Sequence, residues 1–517
     1  MHLFKQKIHW QAILGQMGLL LHVPGCMAWI TVRICFLFKE WNAILPFAIT
    51  GGLGIGLGQI LYRGSLKAQA AHLWDAMVIA ALGWIFCSLL AAVPIYWVCY
   101  MQLAQGVESE VMRVFSHPIN ALFEGFSGYT STGLTMMQRE GPFPHCLEWW
   151  RSFLQWTGGL GLVVFVLALT HLNKEGYQLY YAEAHSEQMS RNIRQTAHRI
   201  WAIYLCYTFV AFLLFFSAGM PLWEAINHAM TAISTGGFTV TSSNFQGYSA
   251  GIQIIALFIM VIGSISFAVH FQVIHDRNWK ILWKSLQHRL LYLFVIGGGV
   301  LILLLNLWNG SQGHYVSSIF EWVSALTTCG YNAVSLSFFS PMVKLLLIIG
   351  MFIGGATGST AGGLKIRRLL YLVKGIYLRL SSLTQKNEKE ILEDYNPTKA
   401  PSQEEPPGTL LLRKTQSERL ITAEVLFSLW AATIFLGWFL ILKWAPKGGA
   451  LDALFEVTSA MSNVGLSSGI VSPDFSTAGK VIFMLLMWVG RLEIIPALVL
   501  LLTLPMTLRN NSHGKKS

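Results

Sequence analysis

Phe123-Glu-Gly-Phe-Ser-Gly-Tyr-Thr-Ser-Thr-Gly133-Leu-Thr135 recurs, in altered form, three more times along this 517-residue chain. Phe320-Glu-Trp-Val-Ser-Ala-Leu-Thr-Thr-Cys-Gly330-Tyr-Asn332 is the third copy and Phe455-Glu-Val-Thr-Ser-Ala-Met-Ser-Asn-Val-Gly465-Leu-Ser467 the fourth. In copies one, three and four, Phe stands ten residues before the glycine, Glu nine before and Ser six before. The second copy, Ile226-Asn-His-Ala-Met-Thr-Ala-Ile-Ser-Thr-Gly236-Gly-Phe238, is diverged; aligned on Gly236, it has Ile226 and Asn227 in the first two places. Units of about one hundred residues, each too apolar to stand in water, predict a pseudo-fourfold membrane protein.

The ten residues before each glycine make about three helical turns, too short for a bilayer that needs roughly 20 residues. A small polar run and the glycine follow. Irregular backbone at membrane depth survives where it lines a water-filled cavity or is buried in protein. A half-helix ending in extended Ser/Thr/Gly backbone can aim carbonyl oxygens at a cation in place of its hydration shell, and the negative end of the helix dipole favours a cation there. Glycine serves a sharp turn whose φ other residues resist. The filter residues expected on this reading are Ser131, Thr132, Gly133, Ser234, Thr235, Gly236, Thr328, Cys329, Gly330, Asn463, Val464 and Gly465. Four tight interhelical turns are the plainer alternative; their matched spacing argues against it.

Composition agrees with a membrane protein. The chain is 54% hydrophobic and 12% charged, with mean hydropathy +0.52, which excludes an ordinary soluble domain. A net charge of +11 suits basic cytoplasmic loops better than nucleic-acid binding. The seven cysteines (Cys26, Cys35, Cys87, Cys99, Cys146, Cys206, Cys329) form no CxxC and read as small apolar residues.

Read in order, the chain predicts an all-α polytopic membrane protein with about ten transmembrane helices and four re-entrant pore loops. An accessory two-helix segment (1–70) comprises an uncleaved helix near 10–32 and a second near 42–62, glycine-rich around Gly51 to Gly58 for close packing. Pore repeat one is placed at 71–197 and repeat two at 198–287. Repeat three, with a cytoplasmic linker at 380–417, fills 288–417, and repeat four 418–517. With a cytoplasmic N-terminus, Arg63, Lys67, Lys174, Arg191, Arg194, Arg277, Lys280, Lys284 and Arg289 fall inside, whereas 240–250 outside carries no Lys or Arg. This satisfies the positive-inside rule and puts all four filters on the outer side.

A second correspondence follows the filters: Gly158, Gly263, Gly354 and Gly490, each followed by Gly159, Ser264, Gly355 and Arg491 respectively. A charge inside a span costs about 3 kcal/mol and marks function by default. Arg491 is expected to project into the pore below the filter and raise the barrier to cations; a structural pair with Glu493 or a pore-helix glutamate is the alternative. Repeat three's inner helix is expected to break at Gly354-Gly-Ala-Thr-Gly-Ser-Thr-Ala-Gly-Gly363, because interior glycines cost about 1 kcal/mol each. Gly354, Gly355, Gly358, Ser359, Thr360, Gly362, Gly363 and Lys365 would then form a movable gating loop under the filter. A phosphate cradle lacks the required GxxxxGK[ST] spacing and preceding strand.

The four filters, the Gly-Ser-Thr-Ala-Gly-Gly-Leu-Lys loop at 358–365, Gln155-Trp-Thr-Gly-Gly-Leu-Gly161 and Gly490-Arg-Leu-Glu493 resemble the TrkH/KtrB potassium-transporter superfamily. The two leading helices and Leu179-Tyr-Tyr-Ala-Glu183 favour its TrkH branch. The resemblance implies potassium uptake across the bacterial inner membrane, with K+ held by filter backbone oxygens as transported ion and no cofactor bound directly. It also implies a homodimer and a cytosolic TrkA-type nucleotide-binding regulatory subunit. Cys329 and Val464, just before two filter glycines, depart from the hydroxyl pattern. Sodium- or proton-coupled symport remains open beside a passive pore. A polytopic membrane enzyme is the less favoured class, since an enzyme has no reason to repeat its active-site segment four times. The recurrent Glu124, Glu321 and Glu456 read as acids in the first turn of each pore helix, favoured by the dipole, ahead of a carboxylate ring or an acid/base pair. His117, His145, His228 and His270 have no metal-ligand spacing.

Overall fold

The computed structural model describes residues 8–65, 72–138, 141–161, 164, 193–308, 315–336, 339–384, 416–444 and 449–503. All regular structure among them is helical. The first unit is the antiparallel pair α1 (Trp10–Leu37) and α2 (Trp41–Gly64). Here the glycine-rich face does what its composition predicts: Gly54 packs on Gly25 and Gly58 on Gly18, so closely that a Cβ on Gly54 would lie 2.8 Å from the Gly25 Cα. Small residues let two backbones touch where larger ones would hold them apart.

Four units of one plan follow. The first has α3 (Leu73–Ala104), the short α4 (Glu110–Phe115), the half-helix α5 (Pro118–Tyr129) and α6 (His145–Leu160). The second has α7 (Ile193–Ser217), the half-helix α8 (Leu222–Ile233), α9 (Ala250–Gly263) and α10 (Phe267–His275). After α11 (Ile281–Lys284), the third has α12 (Leu286–Trp308), the half-helix α13 (Tyr315–Leu326), α14 (Pro341–Ile353) and α15 (Ile366–Thr384). The fourth has α16 (Gln416–Leu442), the half-helix α17 (Gly449–Met461), α18 (Thr477–Arg491) and α19 (Ile495–Thr503). The expected inner loop around 179–183 and most of the 380–417 linker lie outside the described residues.

Polarity is arranged inside out. The half-helices are the centre: Glu124, Ser127, Glu321, Ser324, Glu456 and Ser459 are completely buried. Large exposed side chains such as Phe209, Ile296, Leu304, Phe435 and Phe439 stand on α7, α12 and α16, as lipid-facing helices require.

Not all of the ten expected spans are single straight helices. Among the described residues, six helices (α1, α2, α3, α7, α12 and α16) are long and apolar enough to cross a membrane, or up to eight if each bent pair counts as one. The difference lies in the segments after each signature loop. Sequence predicts one broken inner helix, in repeat three, and α14 and α15 are indeed separate. Yet α9 and α10 also meet at 97°, and α18 and α19 at 113°. In repeat one, α6 stops at Gly161, whose φ is +97°. Each break follows the glycine of the second correspondence, paired with Ser264 in repeat two and with Arg491 in repeat four, and glycine is a common site of helix kinks.

Candidate functional site

The four half-helices end alike. After the last helical turn, one residue adopts left-handed backbone: Ser131 (φ +54°), Thr235 (+49°), Thr328 (+55°) and Asn463 (+52°). The next amide, of Thr132, Gly236, Cys329 or Val464, bonds back to the carbonyl of Ser127, Thr231, Ser324 or Ser459. The residue after it is a glycine at positive φ: Gly133 (+97°), Gly237 (+82°), Gly330 (+85°) and Gly465 (+96°). Copy two is therefore shifted by one from the alignment on Gly236. Gly237 is the counterpart of Gly133, and Gly236 stands where the others carry Thr132, Cys329 and Val464. Two adjacent glycines hide this in the sequence; only backbone conformation distinguishes them. The shift puts Asn227 and His228 where the other copies have Phe and Glu.

These loops close a ring. A Cβ added to Gly133 would strike the Gly236 carbonyl oxygen, one on Gly237 that of Cys329, one on Gly330 that of Val464, and one on Gly465 that of Thr132. Each loop thus touches the next, and the fourth touches the first. Side chains at the left-handed position reinforce the joints. The Ser131 hydroxyl donates to the Ser234 carbonyl (3.1 Å), and the Asn463 amide donates to Thr132 Oγ1 (2.9 Å).

The pore-helix acids do not sit in the first helical turn, as expected, but near the middle. They latch the chain that leaves each loop. Glu124 accepts from the Thr135 hydroxyl (2.7 Å) and the Met136 amide (3.0 Å). Glu321 accepts from the amides of Ala333 (2.7 Å) and Val334 (3.2 Å). Glu456 takes the Ser467 hydroxyl (2.6 Å) and the amides of Gly469 and Ile470 (both 3.1 Å). Sequence reasoning passed over Arg151, whose Nε pairs with Glu124 at 2.7 Å with both side chains buried. Two polar residues four apart in an apolar span, Arg151 and Gln155, were the available signal.

On the C-terminal side of the half-helices lies the glycine-rich segment between α14 and α15. It binds three repeats. The Thr360 hydroxyl donates to the carbonyls of Ile233 (3.1 Å) and Gly263 (2.9 Å). The Gly362 amide donates to Thr328 Oγ1 (2.6 Å), and the Gly363 amide to the Ser462 carbonyl (3.0 Å). Gly358 accepts from the Phe267 amide (2.8 Å), the Ser359 hydroxyl caps the Ala356 carbonyl, and Lys365 Nζ reaches the Ala361 carbonyl. Gly354 packs on Gly362 and Gly363, and Gly355 on Ala361 and Ser264.

The second correspondence has a steric cause in three repeats. A Cβ on Gly158, Gly263 or Gly490 would meet the last half-helix carbonyl of its own repeat, that of Tyr129, Ile233 or Met461. Arg491, next to Gly490, crosses to repeat one and donates to the carbonyls of Gly158 and Gly159. Its guanidinium lies 5.4 Å from the Trp84 ring centroid. Of the alternative partners, Glu493 pairs with Arg368 and Glu124 with Arg151.

Comparison with known proteins agrees with this architecture. A family model described as TrkH, cation transport protein, matches residues 99–508. An uncharacterized cation transporter of Methanocaldococcus jannaschii is 30% identical over 498 residues, covering 96% of each chain. The Trk system potassium uptake protein TrkH of Halomonas elongata is 28% identical over 507 residues, covering 94% of this chain and 97% of that one. The crystal structure of the potassium transporter TrkH from Vibrio parahaemolyticus superposes with a TM-score of 0.77 at 23% identity, covering 95% of this chain and 98% of that one.

Proposed function

Because the chain belongs to the TrkH family of cation transport proteins, we propose that it takes up potassium through a central passage at the ring of four loops. The observation that carries this reading is the closed ring itself, in which each glycine loop abuts the carbonyl of the next. Backbone oxygens so arrayed can replace the hydration shell of a monovalent cation, and four half-helix C-termini add their negative dipole ends. On this reading Ser131, Thr132, Gly133, Ser234, Thr235, Gly236, Gly237, Thr328, Cys329, Gly330, Asn463, Val464 and Gly465 form the filter. Cys329 and Val464 are compatible with it, because a backbone carbonyl needs no hydroxyl beside it. On the same reading the segment Gly354 to Lys365 and Arg491 are the gate, supported by the segment's bonds to Ile233, Thr328 and Ser462 and by those of Arg491 to Gly158 and Gly159. The five-part division, 1–70, 71–197, 198–287, 288–417 and 418–517, belongs to the same reading. So do the inner-membrane location, the homodimer and a TrkA-type regulatory subunit.

Potassium-limited growth tests this. A strain deficient in potassium uptake, expressing this chain with a TrkA-type subunit, should regain growth at low K+. The purified protein in liposomes should pass K+ in preference to Na+. Failure in both settings, with the protein present in the membrane, rejects the assignment.

A further inference from the structure

Three loops of the ring are latched by their own half-helix and one is not. His228 occupies the acid position in repeat two, where it reaches the Glu224 carbonyl through Nδ1 at 2.8 Å. Its Nε2 is buried without a hydrogen-bond partner. With Nδ1–H given to that carbonyl, the lone pair on Nε2 receives no donor, so His228 does not hold the chain leaving loop two as the carboxylates hold it in the other repeats.

That chain is held instead from α6 of repeat one. Gln155 Nε2 donates to the Gly236 carbonyl, and Gln155 Oε1 accepts from the Phe238 amide at 2.9 Å. One side chain thus grips loop two on both sides of Gly237. One turn earlier, Arg151 Nη1 donates to the Thr239 carbonyl at 2.9 Å, and its guanidinium covers the Phe238 ring at 4.2 Å. The same guanidinium holds Glu124 through Nε at 2.7 Å and Thr135 Oγ1 through Nη2 at 3.1 Å. At the matching distances after the other loop glycines stand Ile255 and Ile259, Ile348 and Phe352, and Phe483 and Met487, all apolar. The polar pair occurs in the repeat adjoining the one that lacks the carboxylate.

We infer that Arg151 and Gln155 are positioning residues that fix the second filter loop from outside its own repeat, so that ion selectivity depends on them. The inference rests on the potassium-filter reading above and deepens it. Gly236 lies at the level of Thr132, Cys329 and Val464, and its carbonyl direction is set by Gln155. Freeing it would let one quarter of the ring relax around the smaller sodium ion.

The test uses full-length protein in liposomes, with K+ and Na+ permeability read from reversal potentials and folding from thermal melting in detergent. Gln155→Leu keeps the bulk and removes both hydrogen bonds. The K+ over Na+ ratio should fall about tenfold, the scale of one buried hydrogen bond, in a variant that melts at a lower temperature but still cooperatively. Arg151→Lys keeps the charge but cannot hold Glu124, Thr135 and Thr239 together, and should lower the ratio in the same direction even if Gln155→Leu does not fold. An unchanged ratio in a folded variant of either kind overturns the inference. A wild type without K+ preference overturns the filter reading itself, and this inference with it.

Discussion

At Gly330 two constraints meet in one residue. Its φ of +85° lies where side chains are strained, and a Cβ there would overlap the Val464 carbonyl oxygen. Gly330→Ala should cost about 1–2 kcal/mol from backbone conformation alone. The overlap adds to this, because the neighbour is backbone and cannot swing away. The repair available is for loop four to retreat, which widens the ring. The expected outcome is a folded but less stable protein whose preference for K+ over Na+ collapses, measured by reversal potential beside thermal melting. Unchanged selectivity would show that the ring does not contact the ion. The same residue scale explains what the sequence made legible. The glycines of copies one, three and four were readable because Phe, Glu and Ser precede them at fixed distances. Copy two has lost the Phe and the Glu and carries two adjacent glycines, so letters alone could not choose Gly237 over Gly236. The role of the glutamates was hidden for a related reason. Their acceptors' partners lie about a dozen residues downstream, in chain without periodicity.

The inner helices carry the lesson at the scale of the element. Glycine density announced the break between α14 and α15, whereas the 97° and 113° turns in repeats two and four follow one or two small residues and leave hydropathy undisturbed. A hydropathy reading joins such halves into a straight span because it registers apolarity, not direction. At the last of these turns, Arg491 ends α18 and donates to the carbonyls that end α6. Its guanidinium therefore lies on the C-terminal side of the half-helices, against the carbonyls of repeat one. On the proposed pore reading, a fixed cation there would raise the barrier to a passing cation. Arg491→Ala should increase K+ flux in liposomes severalfold, with selectivity retained because no loop residue changes. Equal flux from a folded variant would leave Arg491 as a brace between repeats four and one.

For the molecule as a whole, the ring is fastened at its outer rim by four different devices. Arg151 joins the chains leaving loops one and two. Between loops two and three, the Asn332 amide donates to Asn244 Oδ1 (3.1 Å) and its carbonyl accepts from the Phe245 amide (2.9 Å). Gln138 of repeat one donates to the Val471 carbonyl of repeat four (2.6 Å). Lys344 of α14 pairs with Asp452 of α17 at 2.7 Å, with side chains 14% and 22% exposed. The fourfold plan is thus kept by backbone, while each seam is sealed by unrelated side chains, and for that reason the seams were invisible to a search for repeats. Each seam can therefore be tested by itself. Lys344→Met leaves Asp452 largely buried without its partner, which should cost about 2 kcal/mol after allowance for its partial exposure. The exchange Lys344→Asp with Asp452→Lys should recover most of that loss, since the pair is local to one seam. Thermal melting of the three proteins in detergent measures the recovery. A double exchange no more stable than Lys344→Met would mean that the packing of α14 on α17, rather than the ion pair, holds the third and fourth repeats together.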